Sequence, residues 1–221
     1  GTLDALKEKD VAVFALAKKA IADIPMLLPA SPAVVGRYAD VDNKSGVWKA
    51  PANVGIDYVI APEIIITQQE QEDLNVDTVT GKSINAIRSF TGRGPAIIWG
   101  ARTLAGNDNE WRYIPVRRYF IMVEGSIEKA TAPFVFEPND SNTWIRIRGM
   151  IENYLIAQWR GGALQGTTPR DAFYVRVGLG ETMTQQDLVE GRLIVEIGLA
   201  VVRPAEFINL RIVHQMLTER A

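Results

Sequence analysis

Few residues of this chain could act as an acid, a base or a nucleophile. The sequence has no cysteine and a single histidine, His214, close to its C-terminus. A Ser-His-Asp triad assembles in space, so the sequence leaves that chemistry open, but a lone histidine in a terminal strand is most often a surface residue. Glu137 and Asp140 could form the pair of carboxylates that glycosidases place on either side of a bond. The simpler interpretation is that Asp140 caps the helix that follows and that Glu137 pairs with an arginine.

Two glycine pairs fail as phosphate-binding loops. Gly92 and Gly94 are followed by Pro95 and lack the Gly-Lys-Ser/Thr ending of a phosphate loop. Gly178 and Gly180 lack the third glycine of a dinucleotide loop. The sequence therefore predicts no cofactor and no metal site.

Composition narrows the function classes further. The 26 acidic and 24 basic side chains give a formal net charge of −2, which argues against a strongly basic nucleic-acid footprint. No stretch reaches the ~20 apolar residues that span a bilayer, and the first residues do not form a signal peptide. The absence of cysteine excludes a disulfide framework and fits a reducing cytoplasm. We expect no nucleic-acid partner and no membrane insertion.

A tryptophan-rich and arginine-rich stretch, Ile84 to Gly166, dominates the chain and contains four of the five tryptophans. These residue types suit packing and ion pairing better than catalysis, because Trp and Arg make large, oriented interface contacts. The arginines either form a basic surface for an acidic partner or pair internally with nearby glutamates, and spacing alone leaves both readings open. The arginines concerned are Arg117, Arg118, Arg146 and Arg148, and the glutamates are Glu110, Glu124 and Glu152.

The elements of the first third are an amphipathic helix and a β-rich segment. Apolar spacing predicts a helix over Thr2 to Ile24, ended by Pro25. A turn or short helix opens at Ser31. Asp57 to Thr67 is β-rich, but Pro62 confines it to an edge strand or to two short strands.

A capping box and a loop follow. Thr67 is placed as an N-cap, with Glu70 as its partner three residues later, which predicts a short helix. The loop around Asn75 to Lys82 then provides the predicted domain boundary. We predict a first domain over residues 1–80 and a second over residues 81–221.

The central stretch is predicted to contain two strands, two helices and a short strand between the helices. The strands cover Ser83 to Ser89 and Pro95 to Leu104, and the second has the continuous apolar run of a strand buried on both faces. One helix begins at Pro115, and a second, after Asp140, ends at Gly161-Gly162. The short strand is placed at 133–136.

The last third is predicted to be mostly β. Strands are expected over Ala172 to Val177 and Arg192 to Val202, with a capped turn or short helix at Thr184 to Glu190. Pro204 breaks the second strand. A further strand close to the end of the chain could leave its own body and add to a neighbour's sheet edge. It comprises Phe207, Ile208, Asn209, Leu210, Arg211, Ile212 and Val213.

Four blocks of the sequence together resemble the C-terminal half of contractile tail sheath proteins of phages, R-type pyocins and extracellular injection systems. They are GVWKAPAN at Gly46 to Asn53, QEDLN with INAIRSF at Gln71 to Phe90, WGARTL with EWRYIPVRRYF at Trp99 to Phe120, and FEPND with ALQG and GRLIVEIGLAVVRPAEFI at Phe136 to Ile208. The blocks occur in the family's order, whereas VIAPEIIITQQEQ, AGNDNE and the C-terminal tail depart from its pattern.

The resemblance implies an α/β (α+β) fold in which a mixed β-sheet packs with helices. Residues 1–80 would be the C-terminal part of the sheath middle domain, and residues 81–221 the inner, C-terminal sheath domain with a terminal β-arm. Such subunits stack as sixfold rings around an inner tube, and strands from the arms of neighbouring subunits extend the sheet of the inner domain.

The function that the resemblance implies is structural, with no active site. Sheath subunits contract to drive the tube through a target envelope, so the expected partners are other sheath subunits, the inner tail tube protein and the baseplate. The arginines named above are expected to include tube or neighbour contacts. The subunit would be made in the bacterial cytoplasm and become part of a phage tail or tail-like particle.

Two alternatives stand beside this interpretation. One is a sheath-like baseplate or terminator component, and the other is a soluble α/β enzyme with a pocket around His214 or around Glu137 and Asp140. The opening Gly1 and the helix already under way suggest that the chain starts inside a longer protein. We therefore expect the isolated chain to be soluble and not to form sheath by itself.

Overall fold

The computed structural model describes residues 3–207, which contain both helices and antiparallel sheets and confirm the predicted α/β class. The α-helices are α1 (Leu3–Lys9), α2 (Val11–Ala22), α3 (Ser31–Ser45), α4 (Gln68–Asn75), α5 (Ile114–Thr131), α6 (Ser141–Arg160), α7 (Pro169–Ala172) and α8 (Gln185–Val189). The strands are β1 (Val54–Gly55), β2 (Ala86–Phe90), β3 (Gly94–Trp99), β4 (Phe173–Arg176) and β5 (Glu196–Leu199).

Contacts divide the chain into two compact units. Unit 1 contains Gly1–Val41 and Pro51–Asn107, and unit 2 contains Asp42–Ala50 and Asp108–Ala221. These units are defined by contacts within the chain and are not identified with sheath domains. The predicted domain boundary near residue 80 stays a prediction.

Unit 1 is organised around a three-stranded antiparallel sheet in the order β1-β3-β2. The sequence AIIW makes β3 the central strand, since Ala96, Ile97 and Ile98 are all buried. Apolar residues on both faces suit a strand with a neighbour at each edge, as the sequence predicted. Ile56 packs with Ala96 and Ile98 in the small core of this unit.

Unit 2 has the larger core, built by the apolar faces of α5 and α6. Their buried residues recur at three and four positions and pack together with residues of the β4–β5 sheet. The fully or nearly fully buried side chains of the two helices are Pro115, Val116, Tyr119, Val123, Thr143, Ile147, Ile151 and Leu155. Tyr119 has no exposed surface, and its hydroxyl has no hydrogen-bond partner among the described residues. Burial, and to a lesser extent Tyr154, raises the Tyr119 pKa far above its usual range.

A short segment of the first half of the chain, Asp42–Ala50, belongs to unit 2. Its Trp48 packs edge-to-face on Tyr119, with ring centroids 6.3 Å apart. The backbone of Gly46 lies so close beneath the indole that a Cβ there would overlap it, and its φ of 97° is one that glycine adopts readily. The packing of the Trp48 indole against the backbone of residue 46 therefore requires glycine at that position.

The predicted helix ends are confirmed at several caps. Thr67 and Glu70 form the predicted capping box of α4, and the Asp140 carboxylate accepts a hydrogen bond from the Thr143 N–H at the start of α6. Thr184 caps α8, and Gly161 ends α6. These devices depend on neighbours within four residues, so sequence determines them well.

Four local predictions were wrong or incomplete. Asp57–Thr67 contains no strand, because β1 pairs with β3 only through Val54–Gly55 and the β-prone residues beyond it find no ladder. Residues 133–136 do not form a strand, since a 3-10 helix (Ala132–Phe134) follows α5 directly. The strand expected over Arg192 to Val202 is reduced to β5 and an isolated bridge at Val201, and at its start the Arg192 N–H donates to the Asp187 carbonyl of α8 instead of to a strand.

The helix predicted over Thr2 to Ile24 is the fourth of these predictions, because the structure has two helices there. Asp10 interrupts the helical path in an extended conformation, and its carboxylate accepts hydrogen bonds from the Ala12 and Val13 N–H groups to cap α2.

Candidate assembly interface

Arg118 is the most firmly held of the four predicted contact arginines. Its guanidinium donates to both carboxylate oxygens of Asp42, at 2.9 and 2.5 Å, in the bidentate geometry that favours arginine. Both side chains are partly buried, and both belong to unit 2. This pair ties the start of the Asp42–Ala50 segment to α5.

Arg146 and Arg148 project from α6 and also find carboxylates. Arg146 donates to Glu137 at 2.7 Å, which confirms the prediction that Glu137 pairs with an arginine. Arg148 donates to Glu181 at 2.9 Å and to the Val177 carbonyl at 2.8 Å. The internal-pairing interpretation therefore fits both arginines. Glu137 was predicted as an arginine partner, whereas Glu181 was not, and among the described residues neither arginine forms an ion pair with Glu110, Glu124 or Glu152.

Arg117 is exposed and has a different environment. Its guanidinium lies over the Trp111 ring, 4.9 Å from the centroid, and Trp111 packs edge-to-face on Phe120. Among the described residues no carboxylate lies within ion-pair distance of Arg117. It is therefore the member of the four whose charge is most available to a partner.

The β4–β5 sheet has one well-defined open edge. The Ala200 N–H donates to the Ala172 carbonyl at 2.8 Å and the Ala200 carbonyl accepts from the Gln165 N–H at 2.7 Å, so Ala200 faces the β4 side. Because alternate residues of a strand direct their backbone groups to opposite edges, Ile197 and Leu199 face the other way. Within residues 3–207 no hydrogen bond to the backbone groups of these two residues is present.

The outer edge of β4 is more occupied. The Phe173 N–H donates to the Pro169 carbonyl, and the Val177 carbonyl accepts from Arg148. Val175 lies between these two positions, above a groove of about 430 Å³ beside α6 and α7. The two edges of the sheet thus differ: among residues 3–207, only the β5 edge has two consecutive outward-facing positions, Ile197 and Leu199, without a backbone hydrogen bond.

Phe136 is an exposed aromatic residue of unit 2 to which the sequence assigned no contact, and Tyr58 of unit 1 is likewise fully exposed with a positive φ. Phe136 has a relative accessibility of 103%, and its φ is 70°. A left-handed backbone costs a non-glycine residue about 1–2 kcal/mol. The only sequence signal was its place in the FEPND block, which indicated the family rather than a contact.

The features tested for catalysis do not come together. Glu137 is bound to Arg146 and Asp140 caps α6, and neither lines the groove beside β4. His214 and the predicted strand residues 208–213 lie outside the described residues. In the part of the chain that the structure describes, no group of acidic or histidine side chains could hold a metal ion, and no helix is long and apolar enough to cross a membrane.

Within residues 3–207, unit 2 thus presents paired charges, a sheet edge without a partner strand and an exposed aromatic side chain. The family model of the phage tail sheath C-terminal domain matches residues 106–215. Together with the structural matches below, this places the chain in the contractile tail sheath family.

The similar solved structures are particular contractile particles. The baseplate of the anti-feeding prophage (AFP) contains a chain that is 46% identical, with a TM-score of 0.80, over 87% of this chain and 52% of that one. The contracted sheath complex of PVC, an extracellular contractile injection system, contains one that is 45% identical, with a TM-score of 0.80, over 85% and 51%. The contracted AFP helical sheath contains a chain that is 45% identical, with a TM-score of 0.79, over 86% of this chain and 52% of that one.

The chain therefore spans about half the length of the solved chains that it matches. No curated protein sequence matches it.

Proposed function

We propose that this chain is the inner, C-terminal half of a subunit that polymerises as a contractile sheath around an inner tube and drives the tube through a target envelope. The observation that carries the proposal is the open β5 edge in a chain about 45% identical to chains of contracted sheaths. An unpaired strand edge in a soluble protein is a template for another strand.

The strand that adds to this edge is the terminal segment Phe207 to Val213 of a neighbouring copy. Phe207, its one described residue, is largely exposed, with a relative accessibility of 71%. Main-chain hydrogen bonds give such a contact affinity, and alternating side chains fix its register. The apolar residues of the segment at alternate positions suit one covered face.

The α5–α6 core provides the stiffness that contraction requires. Work in a sheath comes from the free-energy difference between two packings of rigid subunits, so the subunit body must keep its shape while its contacts change. The buried helix faces and the Arg118–Asp42 pair hold unit 2 internally. The unit acts as the rigid element, and the terminal strand as the link.

The contacts with the inner tube are assigned first to Arg117. Its guanidinium is exposed and has only an aromatic partner among the described residues, so it keeps its charge for another chain. Arg118, Arg146 and Arg148 already bind carboxylates of unit 2. In contact with another chain, the positive charge of each would therefore be largely balanced by its own carboxylate. The baseplate, the tube and other sheath subunits are the proposed partners, and the role is structural rather than enzymatic.

A charge reversal tests the tube assignment. Arg117→Glu in the full-length sheath protein should leave the subunit folded and weaken its assembly on the tube. Arg160→Glu, a reversal of another exposed arginine at the end of α6, is the matched control. Tube binding unchanged by Arg117→Glu would remove that residue from the interface.

The second candidate is a sheath-like baseplate component, favoured by the similarity to chains of the AFP baseplate in two states. A sheath subunit co-expressed with its tube protein in the bacterial cytoplasm should give long tubes of stacked rings. A baseplate component should instead give single rings or bind only at one end. Electron microscopy of the full-length protein with its tube separates the two.

A further inference from the structure

The loop from residue 132 to residue 140 is hydrogen-bonded on both sides of Phe136 and leaves its ring in solvent. The Glu137 N–H donates to the Phe134 carbonyl at 3.1 Å, and Glu137 is fixed by Arg146. On the far side, Asn139 accepts from the Trp144 indole at 2.7 Å. The left-handed backbone of Phe136 is therefore imposed by contacts on both sides, and nothing in the described chain covers the ring that it displays.

A strained and fully exposed aromatic residue on a fixed loop has the properties of an interface anchor. Aromatic anchors contribute most when they are preorganised, because little rotamer freedom is then lost on binding. Backbone strain that the surrounding structure maintains clusters at active sites, ligand clamps and switch regions, so the positive φ of Phe136 points to a functional role for this loop. For a partner, the ring needs an apolar recess with a polar rim.

Unit 2 contains such a recess in the groove of about 430 Å³ beside β4. Ile156, Phe173 and Val175 form its apolar lining, and Glu152 and Arg170 stand among its polar residues. Phe136 of the same copy is not among the lining residues. The molecule thus carries an aromatic knob and an apolar groove at different places on one unit.

We propose that Phe136 of one copy inserts into the groove of a second copy in the assembled particle. The proposal rests on the proposed sheath function. Charges on the two sides are complementary, since Glu137 beside the knob can meet Arg170 on the groove, and Arg146 can meet Glu152. A contact between two different patches of identical chains is heterologous, and repeated it generates rings or helices, as a sheath requires.

Double-cysteine cross-linking tests this contact, because these 221 residues contain no cysteine, and any cysteine elsewhere in the full-length protein is first replaced by serine. In the full-length protein assembled with its tube, F136C/I156C should give a ladder of covalent multimers under mild oxidation, reversed by reductant. The single variants and the mismatched pair F136C/V189C should give no ladder. Val189 is an exposed apolar residue of unit 2 with ordinary helical backbone, which makes it a fair control.

Two substitutions of Phe136 distinguish an effect on assembly from an effect on folding. Phe136→Gly should unfold at the same or a higher temperature, because glycine tolerates the positive φ, and it should need at least a tenfold higher concentration to assemble. Phe136→Trp should assemble like the natural protein, and so should Val189→Ala.

The outcomes distinguish this contact from the proposed function. Tubes from F136C/I156C without a ladder, or normal assembly of Phe136→Gly, would overturn the knob contact and leave the sheath function standing. Failure of the unaltered protein to assemble with its tube would overturn both.

Discussion

The open edge of β5 allows a test in which one backbone N–H is removed without touching the pairing with β4. Leu199→Pro deletes an N–H that faces away from β4, whereas Ala200→Pro deletes the N–H that donates to Ala172 at 2.8 Å. Proline is tolerated on an edge strand where its missing N–H has no ladder partner. We expect the first variant to fold and fail in assembly, and the second to be destabilised as an isolated chain.

The size of the effect follows from the number of bonds lost. One ladder hydrogen bond contributes about 1 kcal/mol net, and the proline ring also obstructs the approaching strand. We expect Leu199→Pro to reduce the binding free energy of each strand contact by about 2 kcal/mol. This loss raises the dissociation constant of the contact about thirtyfold. Leu199 is half-buried and packs against the core of unit 2, so Leu199→Ala measures the part that is due to the side chain.

The assay compares folding with assembly in the same variants. Thermal unfolding of the chain gives its stability, and sedimentation of the full-length protein with its tube gives the concentration at which half assembles. Leu199→Pro should raise that concentration about thirtyfold relative to Leu199→Ala. Assembly at the same concentration in both variants would show that the β5 edge accepts no strand.

Three further substitutions test the fold. Trp48→Ala should lower the unfolding free energy by about 3 kcal/mol in chemical denaturation, since its indole packs on the core of unit 2; a loss below 1 kcal/mol would show that the segment around it is not part of that core. Tyr119→Phe removes a buried hydroxyl without a described partner and should raise stability by about 1 kcal/mol by thermal melting, and a loss of that size would contradict it. The Thr184 hydroxyl and N–H, followed by Arg192, lower the Asp187 pKa from 3.8 to about 2. The stabilisation from this carboxylate is present above about pH 4 and is lost as pH falls toward 2; Asp187→Asn should show a smaller loss of stability over that range, and equal losses would contradict it.

Sequence predicted the parts of the fold that depend on near neighbours. The helical spacing after Pro115 and after Asp140 gave α5 and α6, because an amphipathic face repeats within one helix. The capping box of Thr67 and Glu70 is equally local. The family resemblance, confirmed by the comparisons, came from several blocks in order rather than from any one motif.

What sequence failed to predict depends on distant partners. Asp57–Thr67 has the composition of a strand, but a strand needs a neighbour to pair with, and β3 has its edges filled by β1 and β2. The ion pair between Arg118 and Asp42 joins residues 76 positions apart, and sequence spacing predicts only pairs within a few residues of each other. The positive φ of Phe136 is imposed by the loop around it rather than by its own preference.

Unit 2 combines internal ion pairs with exposed groups that are proposed to contact other chains. Arg118, Arg146 and Arg148 on α5 and α6 each bind a carboxylate within unit 2. The proposed external contacts are the β5 edge, Arg117 and Phe136. Contraction would require such contacts to break and re-form in a second arrangement while the core stays folded.

The most direct test of the central claim is electron microscopy of the full-length protein co-expressed with its tube protein, before and after a contraction trigger. The account predicts tubes of stacked sixfold rings that shorten and widen while each subunit body keeps its fold. Discrete rings at a tube end, or particles without regular assembly on the tube, would contradict it.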